Sequence, residues 1–303
     1  MLDICLLGTG GMMPLPNRWL TSLLVRCDGK MMLIDCGEGT QVPLKMAGWG
    51  FKAIDVLCFT HYHADHIAGL PGLLLTIGNS GREEPLILVG PPGLQIVVEM
   101  LTVIAPKLPF ELRYFELPDN EQVEMELGGF LVKSIPVDHW IPCFSYSIEV
   151  KRAGKFDAER ARKQNIPVNC WKSLQKGEQV TLESKLITPE MVLGEPRKGL
   201  KVCYCTDTRP TEALAGFVRD SDLLICEGMY GEEDKYQKAL EKKHMLFSEA
   251  AKLAAEGNVK ELWLTHYSPS MANPEEHLEN AARIFPNSLA GRDLMTRTLK
   301  FQE

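Results

Sequence analysis

Residues 60–66, Thr60-His61-Tyr62-His63-Ala64-Asp65-His66, contain three of the seven histidines of the chain and decide the fold prediction. They follow an apolar strand predicted over Ile54–Phe59 and lead into a helix predicted over Ala64–Ile77. Alternate residues of an extended chain point the same way, so His61 and His63 share one side, while the Asp-His pair serves a second cation. The pattern His-x-His-x-Asp-His arises by chance in about one sequence in six thousand of this composition. Imidazole and carboxylate ligands predict zinc, with manganese or iron possible.

Three further ligand-type residues each follow the end of an apolar strand. His139 comes after a strand ending at Val137, Asp207 after Val202–Cys205, and His266 after Leu262–Thr265. Layered α/β folds collect their sites at strand ends. A histidine at one strand end is more often structural, but together the three complete the ligands that two metals need. His277, which lies among glutamates, is interpreted as a surface residue.

Composition and length predict a globular protein without membrane segments. The chain has 303 residues, of which 45% are apolar and 24% charged. We expect a cytoplasmic location and no membrane partner, because no basic leader precedes an apolar stretch and no apolar run could span a bilayer. The nine cysteines include no Cys-x-x-Cys pair, so a disulfide framework is not expected. The net charge of −7 means that an anionic partner needs a local basic patch.

Hairpin-like runs early in the chain and strand–helix alternation later predict a mixed α/β layered fold. We expect a single domain over residues 1–303 with an insertion at 151–200. Between Lys151 and Lys176 there are eight basic and two acidic residues, a net charge of +6. This stretch is predicted to be a basic arm, and a solvated surface insertion is the alternative interpretation.

Several motifs occur in the order in which one known family has them. They are Asp35-Cys36-Gly37-Glu38-Gly39-Thr40-Gln41, Gly69-Leu70-Pro71-Gly72-Leu73, Val137-Asp138-His139, Thr206-Asp207-Thr208-Arg209-Pro210 and Leu264-Thr265-His266-Tyr267-Ser268. With the histidine cluster, they resemble ribonuclease Z, the tRNA 3′-processing endonuclease of the metallo-β-lactamase superfamily. The resemblance covers nearly the whole chain. It implies the metallo-β-lactamase αββα sandwich with a small protruding arm formed by residues 151–200.

The resemblance also implies how the metal ligands are shared between two zinc ions per chain. One metal would be held by His61, His63 and His139. The other would be held by Asp65, His66 and His266, with Asp207 bridging the two. Asp35 would orient the histidine loop.

Catalytic roles follow from the same resemblance. His244 paired with Glu227 would protonate the leaving oxygen, and Asp65 would also accept a proton from the attacking water. Two metals would lower the pKa of that water and offset charge on the phosphoryl oxygens. The implied function is metal-dependent phosphodiester hydrolysis, with precursor tRNA as the RNA partner and a homodimer as the assembly.

Other functions remain open at this point. The stretch Ile166–Gly177 lacks the Gly-Pro pair that the family carries at the tip of its arm, which favours a phosphodiesterase of the same fold acting on another RNA or a small phosphodiester. A β-lactamase would have a cysteine where Asp207 stands. A metal-bound scaffold or RNA-binding subunit would not need the acid that His244 and Glu227 supply.

We expect protein purified without a chelator to contain about two divalent metal ions per chain, mainly zinc, because seven ligand residues suffice for two sites. Elemental analysis of the purified protein measures this number. A fully active protein free of metal would contradict the prediction.

Overall fold

The computed structural model describes residues 1–105, 107–182 and 185–302. In chain order, the strands are β1 Leu2–Gly8, β2 Ser22–Cys27, β3 Lys30–Ile34, β4 Ile54–Cys58, β5 Leu86–Gly90, β6 Leu112–Glu116, β7 Val123–Leu127, β8 Phe130–Pro136, β9 Phe144–Arg152, β10 Val180–Leu182, β11 Lys185–Ile187, β12 Arg197–Cys205, β13 Leu223–Glu227, β14 Leu262–Thr265, β15 Ser288–Ala290 and β16 Met295–Leu299. The α-helices are α1 Gln41–Ala47, α2 Ala64–Ile67, α3 Leu70–Asn79, α4 Leu94–Leu101, α5 Ala158–Lys163, α6 Val168–Gln175, α7 Glu212–Phe217, α8 Tyr236–Lys242, α9 Phe247–Glu256 and α10 Leu278–Ala282. Short 3-10 helices lie at Thr102–Ile104, Pro189–Met191, Glu233–Lys235 and Pro274–His277. Within the described ranges, no helix is long and apolar enough to cross a bilayer.

Residue contacts divide the chain into two compact units. The first unit contains Met1–Glu149 and Lys201–Lys300, and the second contains Val150–Leu200 with the C-terminal residues from Phe301.

The first unit contains two seven-stranded sheets. Their strand orders are β16-β1-β2-β3-β4-β5-β6 and β15-β14-β13-β12-β9-β8-β7. In the first sheet β1, β2 and β3 are antiparallel, whereas β3 to β6 are parallel. In the second sheet β12 to β15 are parallel and β7 to β9 antiparallel. Because β4 runs parallel to β3 and β5, its carboxyl end lies with theirs at one edge of the first sheet. In the second sheet, the carboxyl ends of β12, β13 and β14 lie together at one edge.

Alternation of side chains along the strands explains the layers. Leu33, Leu57 and Leu88 point from the first sheet into an apolar cluster with α1, α3 and α4. A second cluster joins the other sheet to α7, α9 and α10. The two sheets meet through buried contacts such as the one between the hydroxyls of Thr21 and Thr265, 2.8 Å apart. The predicted αββα arrangement is therefore confirmed.

The helix predicted over residues 64–77 is two helices, α2 and α3, separated at Gly69. The amide of Gly69 donates to the carbonyl of Cys36 at 2.9 Å, and the amide of Cys36 donates to the carbonyl of His66 at 2.7 Å. A Cβ on Gly69 would lie 2.0 Å from the carbonyl oxygen of Gly37. Glycine is required because two backbone segments are in contact here. This contact fixes the position of α2, which carries His66.

The second unit has a small apolar cluster of its own. It forms among α5, α6 and the hairpin β10–β11, and its buried members include Ala161, Ile166, Leu174 and Ile187. The carboxylate of Asp157 accepts a hydrogen bond from the Arg160 amide at 2.9 Å and caps α5. Burial of these apolar side chains stabilises α5 and α6, and the charged residues of both helices remain at the surface.

Candidate metal centre

The seven predicted metal ligands converge in the first unit, each shortly after the end of a strand. Four of them follow β4, two in the loop and two in the short helix α2, and the loops after β8, β12 and β14 carry one each. Because these strand ends meet at one edge of the two sheets, residues far apart in sequence become neighbours. The structure brings together His61, His63, Asp65, His66, His139, Asp207 and His266.

The first group of ligand atoms, which we call cluster one, comes from three histidines and Asp207. His61 Nε2 lies 2.9 Å from His63 Nδ1, and His139 Nε2 lies 3.3 Å from the same atom. Asp207 Oδ2 is 3.7 Å from His61 Nε2 and 3.8 Å from His139 Nε2.

The second group, cluster two, contains Asp65, His66, His266 and the other oxygen of Asp207. His66 Nε2 and His266 Nε2 are 3.2 Å apart, and His266 Nε2 is 3.4 Å from Asp65 Oδ2. Asp207 Oδ1 lies 3.3 Å from His66 Nε2 and 3.2 Å from His266 Nε2. Each carboxylate oxygen of Asp207 therefore faces a different cluster.

These spacings fit metal ions. Four ligand atoms arranged tetrahedrally at about 2.0–2.1 Å from a cation are separated by about 3.3 Å, close to the distances in both clusters. Asp207 Oδ1 is buried and has no hydrogen-bond donor among the described residues. Burial and the neighbouring imidazoles lower the pKa of His61, so this ring stays neutral, as a metal ligand must be. The residues present thus fit two divalent cations.

The buried negative charge of the site also favours a bound cation. Burial alone would lower the pKa of His66, but the carboxylates of Asp207, Asp35 and Asp65 outweigh it and raise that pKa well above its usual value. Three carboxylates in so little solvent need compensating positive charge. Protonation of one histidine supplies some of it, and a bound cation would replace that proton.

Hydrogen bonds behind the ligands set which ring nitrogen faces the clusters. Asp35 Oδ2 accepts from His66 Nδ1 at 2.8 Å, which leaves His66 Nε2 for cluster two. The Thr60 hydroxyl donates to Asp35 at 2.9 Å and can therefore accept from His61 Nδ1 at 3.0 Å. This leaves His61 Nε2 for cluster one. Thr60 was not among the predicted site residues, and its only signal in the sequence was its place between β4 and the first ligand.

Unusual backbone conformations also shape the site. Asp35, Asp207 and His266 all have positive φ angles, of 63°, 53° and 57°. Such a conformation costs about 1–3 kcal/mol per residue and persists only where surrounding contacts enforce it. It turns each side chain sharply from its strand end towards the clusters.

His244 and Glu227 form a pair beside both clusters. Glu227 is buried and accepts from His244 Nδ1 at 3.0 Å, from the Thr208 amide at 2.5 Å and from the Met245 amide at 3.2 Å. The His244 ring centroid is 5.5 Å from those of His139 and His266. Burial opposes protonation of His244, but the charge and hydrogen bond of Glu227 raise its pKa to about 9. The ring can therefore hold a proton at neutral pH with Nε2 available to donate it.

Arg209 holds the main chain of His244 in position, a contact that the sequence did not predict. Its guanidinium donates to the main-chain carbonyl of His244 and to the carboxylate of Glu249. Glu249 also accepts from the Leu246 amide at 2.9 Å. The remaining histidine, His277, lies in a 3-10 helix and belongs to neither cluster.

Comparison with known families gives two partial matches. Residues 2–158 match the family described as anti-Pycsar protein Apyc1, and residues 171–267 match the beta-lactamase superfamily domain. The first match ends before Asp207, His244 and His266, so it covers only part of the site.

Full-length relatives cover the whole site. Ribonuclease Z of Lachnospira eligens is 55% identical to this chain over 303 residues, covering 100% of the chain and 99% of the relative. Ribonuclease Z of Clostridium kluyveri is 54% identical and is covered completely, as is this chain.

Solved structures with similar folds span the whole chain. The short form of human tRNase Z aligns with a TM-score of 0.68 at 24% identity, covering 99% of this chain and 100% of that one. The metallo-beta-lactamase fold protein YhfI from Bacillus subtilis gives 0.70 at 20% identity, with coverage of 98% and 100%. The predicted metallo-β-lactamase fold is confirmed.

We expect Asp207→Ala to lose bound metal, because its two oxygens face both clusters, whereas His244→Ala should keep metal and lose about 10²–10⁴-fold in rate. Metal content and hydrolysis of a phosphodiester would be measured on the same preparations. His277→Ala is the matched control and should change neither quantity. Metal loss in His244→Ala would show that this histidine is a ligand rather than an acid.

Proposed function

This chain belongs to the ribonuclease Z family, and from that premise we infer that it is a metal-dependent endoribonuclease that processes the 3′ ends of precursor tRNA. The observation that carries this conclusion is the full-length identity of about half to relatives named ribonuclease Z. The convergence of seven ligand residues with the His244–Glu227 pair agrees with it. The names of these relatives favour it over the alternative, a phosphodiesterase of the same fold acting on another RNA or a small phosphodiester.

We propose that two zinc ions occupy the site, one in each cluster, with Asp207 contributing an oxygen to both. Histidine nitrogen and carboxylate oxygen suit zinc better than magnesium or calcium, which prefer oxygen alone. Bound there, the two ions would activate a water molecule and offset the negative charge that builds on the phosphoryl oxygens.

The proton transfers fall to residues of the chain. Asp65 is positioned by the Met12 amide, which donates to its Oδ2 at 2.7 Å. Its side chain is 12% exposed against 4% for Asp207, so it is the acidic ligand that solvent reaches more easily. We assign to Asp65 the proton that the attacking water gives up. His244, protonated and held by Glu227, would donate from Nε2 to the leaving oxygen.

We propose that residues 151–200, the basic arm, bind the tRNA backbone. This segment has eleven basic and six acidic residues, a net charge of +5, so the rest of a chain with total charge −7 carries −12. Arg160, Arg162, Lys163, Lys172 and Lys176 are all exposed on or beside α5 and α6. Phosphate contacts dominate nucleic-acid affinity, and this segment carries a large surplus of positive charge in an otherwise acidic chain.

Replacing Lys163, Lys172 and Lys176 together with glutamine should weaken binding of precursor tRNA and flatten its salt dependence. Each phosphate group that the variant no longer neutralises should reduce the slope of log affinity against log salt by up to about 0.9. Filter binding at several salt concentrations measures that slope. Replacing Lys45 and Lys52, two exposed lysines of the first unit, with glutamine is the control for loss of positive charge. An unchanged slope in the triple variant, or an equal reduction in the control, would exclude the arm as the part that binds tRNA.

We further propose that a second copy of the chain covers an apolar face of the first unit. Seven large apolar side chains on α1, α3, α4 and the following 3-10 helix are 41–74% exposed: Val42, Met46, Leu75, Ile96, Met100, Val103 and Ile104. Helices α3 and α4 contact each other, and α3 also contacts α1 and the 3-10 helix, so these side chains lie on neighbouring elements. Such patches on soluble domains mark interaction surfaces.

Light scattering should then give about twice the chain mass of 33.9 kDa. Met100→Glu places a charge on this face and should yield monomers, whereas Leu289→Glu, on β15, should not. A monomeric unmodified protein, or a dimer unaffected by Met100→Glu, would exclude this interface.

A further inference from the structure

An exposed tryptophan borders the candidate metal centre. Trp140 directly follows His139, a member of cluster one, and is 64% exposed. The chain has five tryptophans, all within the described residues, and the other four are buried or half-buried. An indole ring offers a large apolar surface, so leaving it in water forgoes the stabilisation that burial would give. Neither the ligand set nor the His244–Glu227 pair accounts for this ring.

Lys243 holds the ring in place before any substrate binds. Its ammonium group lies 4.9 Å from the Trp140 ring centroid. The same group donates to Asp138 Oδ1 at 2.7 Å and to the carbonyl of His139 at 3.2 Å. Lys243 is also the residue before His244. One cation therefore ties the loop that carries His139 and Trp140 to the loop that carries His244.

We propose that Trp140 stacks on a nucleobase adjacent to the scissile phosphate. This inference rests on the proposed function, since a phosphodiester bound at the clusters must continue into a nucleotide on either side. The ring directly follows a cluster-one histidine and contacts Lys243, which precedes His244, so a base beside the scissile phosphate would lie near it. Every base has a π-face, so stacking suits an enzyme that must accept precursors of different sequence. The high exposure of Trp140 leaves ring surface accessible although Lys243 lies over it.

Charge favours a nucleobase over a charged group at this position. Lys243 is already paired with Asp138, so the pair offers no net charge to a phosphate. The aromatic surface is what remains for a ligand. A ring fixed by a cation–π contact and by two tied loops loses little freedom when a base stacks on it.

The test is a double-mutant cycle between protein and substrate. Trp140→Leu removes the aromatic ring but keeps apolar volume, and should raise KM for precursor tRNA by about 5- to 150-fold, the range for loss of one stacked base. Trp140→Phe should recover most of that loss. Two precursor tRNAs, abasic just 5′ or just 3′ of the scissile phosphate, complete the cycle. With one of these two substrates, Trp140→Leu should not raise KM any further, because the stacking partner is already absent.

The controls separate this inference from the proposed function. Phe115→Leu changes another exposed aromatic residue, on β6, that contributes no atom to either cluster, and should leave KM unchanged. The stacking role is wrong, while the proposed function stands, if the unmodified enzyme cuts precursor tRNA but Trp140→Leu leaves KM unchanged. The same holds if the rise in KM caused by Trp140→Leu is as large with both abasic substrates as with the intact one. If Trp140→Leu instead converts a dimer to a monomer, the ring is an interface residue and the inference fails. If the unmodified enzyme does not cut precursor tRNA, both proposals fail.

Discussion

The arrangement of the first unit depends on buried negative charge that needs compensation. Asp35, Asp65 and Asp207 lie within a few ångströms of one another's histidine partners, and burial makes an uncompensated carboxylate costly. Hydrogen bonds meet part of this need: Asp35 is bound by Thr60 and His66. Asp207 Oδ1 has no hydrogen bond among the described residues, although the imidazole nitrogens of His66 and His266 lie 3.3 and 3.2 Å away. On the account proposed above, a bound cation would compensate this charge and would stabilise the folded chain.

The sequence predicted the candidate site because ligand chemistry and strand endings are local signals. Four ligands lie within six residues, and the other three each follow an apolar strand of ordinary length. Thr60 could not be assigned in this way, since its role depends on Asp35, which is 25 positions away in sequence. Positive φ at Asp207 and His266 is likewise imposed by packing and has no marker in a single sequence. Arg209 lay in a recognised motif, but its contacts with His244 and Glu249 needed coordinates.

The fold shows the same division between local and long-range information. Apolar runs predicted the strands before the metal ligands, such as those over Ile54–Phe59 and Leu262–Thr265, and the layered fold is confirmed. The break at Gly69 was missed because helical periodicity continues from α2 into α3 across it. The amide of Gly69 instead donates to the carbonyl of Cys36, 33 positions earlier, and this long-range contact has no marker in the local sequence. The pairing of β16 with β1 joins opposite ends of the chain, and neither segment alone predicts its partner.

Cleavage mapping on precursor tRNA tests the central claim most directly. The metal-loaded protein would be incubated with a precursor that carries a 3′ trailer, and the products would be sequenced at their ends. The account predicts a cut at the 3′ boundary of the tRNA that disappears when a chelator removes the metal and returns when zinc is restored. Absence of any cut, or a cut that persists after complete removal of metal, would contradict it.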